Sequence, residues 1–344
     1  MATNNTSEYQ LTVQEIAQKE LLRQEIEHLK AQNALSEQAL LKDLILMLRE
    51  KEQIIGPGLQ PYGRSVKLRE AVLTKPKELD FVLPGLLAGS VGSIVSPGGA
   101  GKSMLAMQIT AQLAGAPDFL GLGGLKRGRA VYFAAEDPEE AIIHRFHNLC
   151  SYIGPEEREL IFENLDIRTV LGKQPNLLSK SWVDHISSLA CESRLIVLDT
   201  LRRFHLADEN SSGEMNNVLN VLDTISSKTG CSIIFLHHAN KGSVFSGNGD
   251  MQQASRGSSV LVDNIRWQAF LSTMSKEEAK SWGVEENARK SFVRFGISKQ
   301  NYGIPIEDKW YRRHEGGILK PAVLEKAPKF VSPVTKEANN GFNC

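Results

Sequence analysis

SIVSPGGAGKS, residues 93–103, is a short apolar run, then a glycine-rich turn, then the start of a helical stretch. A strand that feeds such a turn and ends in Gly-Lys-Ser at a helix start is the context a P-loop requires. Gly98, Gly99 and Gly101 let backbone N–H groups converge on phosphate oxygens. Lys102 places a cation between the β- and γ-phosphates of ATP, and Ser103 offers its hydroxyl to Mg2+. Pro97, Ala100 and Met104 complete the expected ATP-binding stretch. The general pattern opens with Gly; here Ser96 holds that position.

The P-loop strand, residues 92–96, has three companions at 130–135, 195–199 and 232–237. Each is short, apolar and partly β-branched, as buried parallel strands are. Helices are expected at 102–114, 138–151, 181–192 and 214–229. This alternation predicts an α/β fold, a mostly parallel central sheet with crossover helices on its flanks. Residues 291–298 and 309–313 are expected to add an edge hairpin.

Polar residues at the ends of these strands carry the chemistry. RLIVLDT (194–200) places Asp199 at a strand's carboxyl end, facing the P-loop across the sheet's switch point. There it is suited to hold Mg2+ through water. AVYFAAEDP (130–138) ends in Glu136 and Asp137. Glu136 is read as the base that activates water, and Asp137 as the cap of the following helix. SIIFLHH (232–238) ends in His237 and His238, a pair placed to sense the γ-phosphate. The glycine-rich segment 239–259 carries Lys241 and Arg256, isolated cations suited to a nucleic-acid backbone or to plain solvation. Arg202, Arg203 and His205 follow Asp199 in a second candidate loop. Arg266 is either an arginine finger reaching a neighbouring copy or a partner of Asp263.

The chain of 344 residues is 41% hydrophobic, enough for one large α/β domain with an appendage. Lys+Arg and Asp+Glu both number 40, so DNA contact is expected from a local patch rather than bulk charge. Four cysteines (Cys150, Cys191, Cys231, Cys344) form no CxxC pair, which argues against zinc and disulfides and fits a reducing cytoplasm. No apolar run is long enough for a membrane span, and MATNNTSEYQ is not a signal peptide. Residues 1–60 read as a helical extension and linker. Leu22, Ile26, Leu29, Leu40, Leu44 and Met47 recur near helical spacing, and Thr12 with Glu15 fits a capping box. Asn33 and Ser36 interrupt that seam, leaving a coiled coil, a docking arm or a solvated helix open. Residues 61–325 form the expected catalytic domain, and 326–344 a disordered tail.

The runs PGGAGKSMLA, AAEDP, LDTLRRFH, GCSIIFLHHA, QQASRGSSVLVDNIRWQ and FGISKQNYG resemble the RepA-type hexameric replicative helicases of broad-host-range IncQ plasmids. The likeness spans about residues 79–325. It implies a RecA-like core, a ring of six subunits and 5′→3′ translocation on single-stranded DNA, driven by ATP and Mg2+. By matching motif, Lys102 and Ser103 are the P-loop pair, Glu136 the base and Asp199 the metal-side acid. His237 and His238 are the sensor, and Arg266 the finger of an adjacent subunit. The segment 239–258 would line the central channel. Residues 1 to about 60 have no counterpart in that family, which leaves ring stabilisation, docking of a primase or initiator, or no specific role open for them. Rival expectations are a RecA-like recombination or repair ATPase and a non-translocating, ATP-dependent replication regulator.

Overall fold

The computed structural model describes residue 24, residues 66–238 and residues 259–326. The N-terminal extension apart from Gln24, the segment 239–258 with Lys241 and Arg256, and the tail from 327 lie outside the described residues. The chain divides into two units, Met1–Lys77 and Glu78–Cys344. In the first, helix α1 (Leu68–Leu73) is exposed along its length.

The second unit opens with a small hairpin, β1 (Phe81–Leu83) and β2 (Leu86–Leu87), that turns at Gly85. The φ of +78° there is one that glycine adopts without steric cost. The main sheet begins with β3 (Val91–Ser96), β4 (Ala130–Ala134), β5 (Leu165–Thr169), β6 (Leu195–Asp199) and β7 (Ser232–His238). It continues with β8 (Trp267–Thr273), β9 (Phe292–Gln300), β10 (Lys309–Arg313) and β11 (Leu319–Pro321). The nine strands lie in the order β11-β10-β9-β8-β3-β7-β6-β4-β5. β8, β3, β7, β6, β4 and β5 are parallel; β9, β10 and β11 extend one edge antiparallel. This is the expected RecA-like α/β arrangement.

Period-two alternation sends the central side chains to two cores, one on each face. Tyr132, Ala134, Leu195, Val197, Ile234 and Leu236 join the core around helix α2 (Lys102–Ala114). Helices α3 (Glu139–Cys150) and α4 (Pro155–Asn164) pack on that side. Val131, Phe133, Ile196, Leu198, Ile233 and Phe235 join the opposite core. Helices α5 (Lys180–Ala190), α6 (Ser212–Thr229) and α7 (Ser259–Asn264) cover this second face. α2 is buried all round except at Ser103, which explains its lack of a polar stripe. It stops at Gly115, where φ is +140° and an added Cβ would meet Leu160 Cβ at 2.6 Å.

The expected strands and helices lie within a residue or two of their observed bounds. The edge hairpin is present as β9 and β10. Two of the parallel strands escape the apolar-run criterion. β5 (LDIRT) is an edge strand whose Asp166 and Arg168 pair with each other at 2.7 Å. β8 (WQAFLST) is interior, and its buried Gln268 is satisfied by Ser298 Oγ at 3.0 Å.

Helix α8 (Lys276–Ser281) begins in a complete capping box between Ser275 and Glu278. Among the described residues, no helix is long and apolar enough to cross a membrane.

Candidate active site

Parallel pairing brings the ends of β3, β7, β6 and β4 to one crevice. Ser96 is level with His238, Val95 with His237, and Ala134 with Asp199. The loop after β3 turns on Gly99 (φ +75°) and Gly101 (φ +100°). A Cβ added at Gly98 or Gly99 would meet nothing within 4 Å, so the loop borders open space there. Ser96 spends its hydroxyl on Pro97 O at 3.0 Å, a bond that glycine could not make.

Lys102 is only 6% exposed. Burial pulls its pKa down, and the charges of Asp199, Glu136 and Asp137 oppose that pull. Its ammonium donates to the His238 ring, with Nδ1 at 3.1 Å and Nε2 at 3.3 Å. Asp199 is 2% exposed, and burial pushes its carboxyl up. Tyr132 and Ser103 stabilise the charged form, as does the charge of Lys102. The Tyr132 hydroxyl donates to Asp199 Oδ2 at 2.5 Å. Asp199 Oδ1 is buried without a well-formed hydrogen bond among the described residues.

That buried, open acceptor beside the Ser103 hydroxyl fits Mg2+, which favours oxygen donors and retains waters. Ser103 would hold the ion directly and Asp199 through water. Bound there, Mg2+ would neutralise phosphate charge. Among the described residues no cluster of three or more His, Cys, Asp or Glu side chains could hold a metal. A Mg2+ held there would keep several waters and take phosphate oxygens, as this small cation commonly does.

Glu136 stands beside this pair. Its Oε1 accepts from Thr200 Oγ1 at 2.8 Å, and its Oε2 lies 3.6 Å from His238 Nε2. Arg203 Nε comes within 4.0 Å of Oε1. His238 thus bridges the P-loop lysine and the candidate base. His237 is turned into the protein and held at a pKa of about 4, first by burial and then by His238, Lys102 and His205.

Asp137 does not cap the next helix. Pro138 occupies the N-cap of α3, where its ring has no acceptor to offer, and the Asp137 carboxylate is taken by Arg145 within the helix. Arg202 and Arg203 lie on the 3-10 turn Leu201–Phe204; Arg202 Nε is 3.9 Å from Glu209. Met104 is buried in the first turn of α2. Arg266 immediately precedes β8 and is level with the beginning of β3. At about 3.3 Å per residue it sits roughly 16 Å along the strands from the P-loop end. Its charge acts on Asp223 of α6. Asp263 instead acts on Lys299, whose ammonium donates to Asp263 O at 3.1 Å.

Four contributors carry no motif of their own: Tyr132, Arg145, Thr200 and Arg313. Strand parity marks Tyr132, which shares the α2 face of β4 with Ala134. Arg313 of β10 donates to Gly99 O and Ala100 O of the P-loop.

A family model described as AAA domain (AAA_25) matches residues 63–244. Similar solved structures include an ATPase domain that is 13% identical, with 69% of this chain and 86% of that one aligned and a TM-score of 0.49. The RadB recombinase is 18% identical, with 73% and 95% aligned and a TM-score of 0.42. The family match contains the P-loop, Glu136, Asp199 and both histidines. The chain belongs to the AAA domain family and is a P-loop ATPase of RecA-like fold.

Proposed function

We propose that this ATPase is a ring-forming replicative DNA helicase similar to the RepA-type enzymes of IncQ-like plasmids. Six subunits would translocate 5′→3′ on single-stranded DNA in the cytoplasm. The observation that carries it is the position of His238, which touches both Lys102 and Glu136 and directly precedes the segment 239–258. A group that contacts the phosphate-side lysine and the water-activating acid is placed to report the state of ATP to that segment. Lys241 and Arg256 there, with Arg202 and Arg203, are the proposed DNA contacts. Glu136 is the proposed base, and Ser103 and Asp199 the proposed magnesium site.

Arg266 lies too far from its own P-loop to serve it, which supports a role at a neighbouring copy's ATP. Residues 1–60 are proposed to form an extension for a primase or initiator, 61–325 the ATPase domain and 326–344 a tail.

Strand displacement on tailed duplexes, with and without ATP, tests this function. ATP-dependent unwinding with closed six-membered rings in electron micrographs is expected. Open filaments on DNA would favour a recombination or repair ATPase. ATP turnover that DNA does not stimulate, with no unwinding, would favour a replication regulator.

A further inference from the structure

We propose that Arg313 is a positioning residue for ATP: it braces the P-loop from the face opposite the phosphates and strengthens the loop's amide donors. This rests on the P-loop function of residues 96–103. β10 is antiparallel to β9, and β9 is antiparallel to β8, so β10 runs in the direction of β3. Its carboxyl end therefore arrives on the side of the sheet where the P-loop lies. From there Arg313 Nη2 donates to Gly99 O at 2.9 Å and to Ala100 O at 2.6 Å. The guanidinium also lies against Gly101, where an added Cβ would come within 3.7 Å of Arg313 Nε.

The two carbonyls belong to the peptide units whose N–H groups are those of Ala100 and Gly101. In a trans peptide, C=O and N–H point in opposite directions. A cation on the carbonyl face polarises the unit and makes its N–H a stronger donor, since hydrogen bonds in series reinforce one another. In a P-loop those N–H groups are what an anionic phosphate meets. Ala100 N–H is held within the loop only by a 3.3 Å bond to Pro97 O.

A packing role alone accounts poorly for this side chain. Arg313 Nε is buried and has no hydrogen-bond partner among the described residues. Arg313 is half-buried, and burying its Nε as an idle donor is costly; an apolar side chain would avoid that cost. The carbonyl contacts supply what an apolar residue cannot: charge and two directed donors at the loop's back.

The test compares Arg313→Met, Arg313→Lys and Lys102→Ala in the full chain. It measures the ATP dissociation constant, steady-state kinetics and the nucleotide-free melting temperature. Arg313→Met is expected to weaken ATP binding about tenfold and raise KM, with kcat changed by less than about threefold. Arg313→Lys, which keeps the charge, should recover most of the affinity. Wild-type ATP affinity in Arg313→Met would overturn the proposal. So would equal loss in the Met and Lys variants that tracks a fall in melting temperature, the mark of packing alone. If Arg313→Met does not fold, Arg313→Gln, which keeps donors without the charge, carries the same comparison. Normal ATP binding by Lys102→Ala would defeat the P-loop function itself; loss there with normal Arg313→Met would defeat only the present proposal.

Discussion

Thr200 donates to Glu136, whereas the adjacent Asp137 is held by Arg145. Two like acids thus receive different surroundings, and their substitutions should differ in kind. Glu136→Gln should retain ATP binding and lose hydrolysis by at least about a hundredfold. Asp137→Asn should cost about 1 kcal/mol or less, since its ion pair is partly exposed, and leave turnover largely intact. Nucleotide binding and phosphate release measured on both variants separate the roles. His237 makes a prediction about pH. Its folded pKa of about 4 lies below the unfolded value near 6.5, so the unfolded chain binds more protons between them. The contribution of neutral His237 is fully present above about pH 6.5 and is lost as pH falls toward 4. Across that window it should change stability by about 1.4 kcal/mol per pH unit. Urea midpoints of wild type and His237→Asn between pH 4.5 and 7 check this; the variant should show the flatter profile. The His-His pair is evident in the sequence, but which member turns inward is not. Adjacent strand residues face opposite ways, and only pairing with β3 decides which meets the crevice.

Among the elements, α2 and β11 are tied by one buried side chain. Gln108 Nε2 donates to Leu319 O at 2.9 Å, and Leu319 N donates to Gln108 Oε1 at 2.8 Å. The amide thereby imitates a strand's backbone and satisfies the end of the sheet. Gln108→Leu would leave a buried N–H and C=O unpaired and should destabilise by about 2–4 kcal/mol in urea unfolding. Nothing local signals this, because glutamine in a helix interior is ordinarily solvated. The four strands at the centre of the site were legible for the opposite reason. Runs such as LIVLD are buried on both faces, so every position is apolar up to the terminal acid. β5, with one acid and one base on a five-residue edge strand, obeys no such constraint.

At the scale of the whole molecule, Arg266 and the P-loop lie at opposite ends of the parallel strands. A site that used both, as proposed above, would be completed between copies. Arg266→Ala should therefore lose most ATPase activity alone and regain part of it in assemblies mixed with Lys102→Ala subunits, which still carry the arginine. Turnover as a function of mixing ratio measures this; a strictly additive response would mean Arg266 acts within its own chain. The sequence by itself determined the P-loop, the acid that faces it, the α/β class and most strands. Those features are local: glycine's conformational freedom, the apolar run of a buried strand, and polar residues at its carboxyl end. The tertiary structure alone decided that Tyr132 supports Asp199, that His238 bridges Lys102 and Glu136, and that Arg313 reaches the P-loop. The last contact joins residues 213 positions apart. Strand order and direction create such contacts, and no local pattern of residues records them.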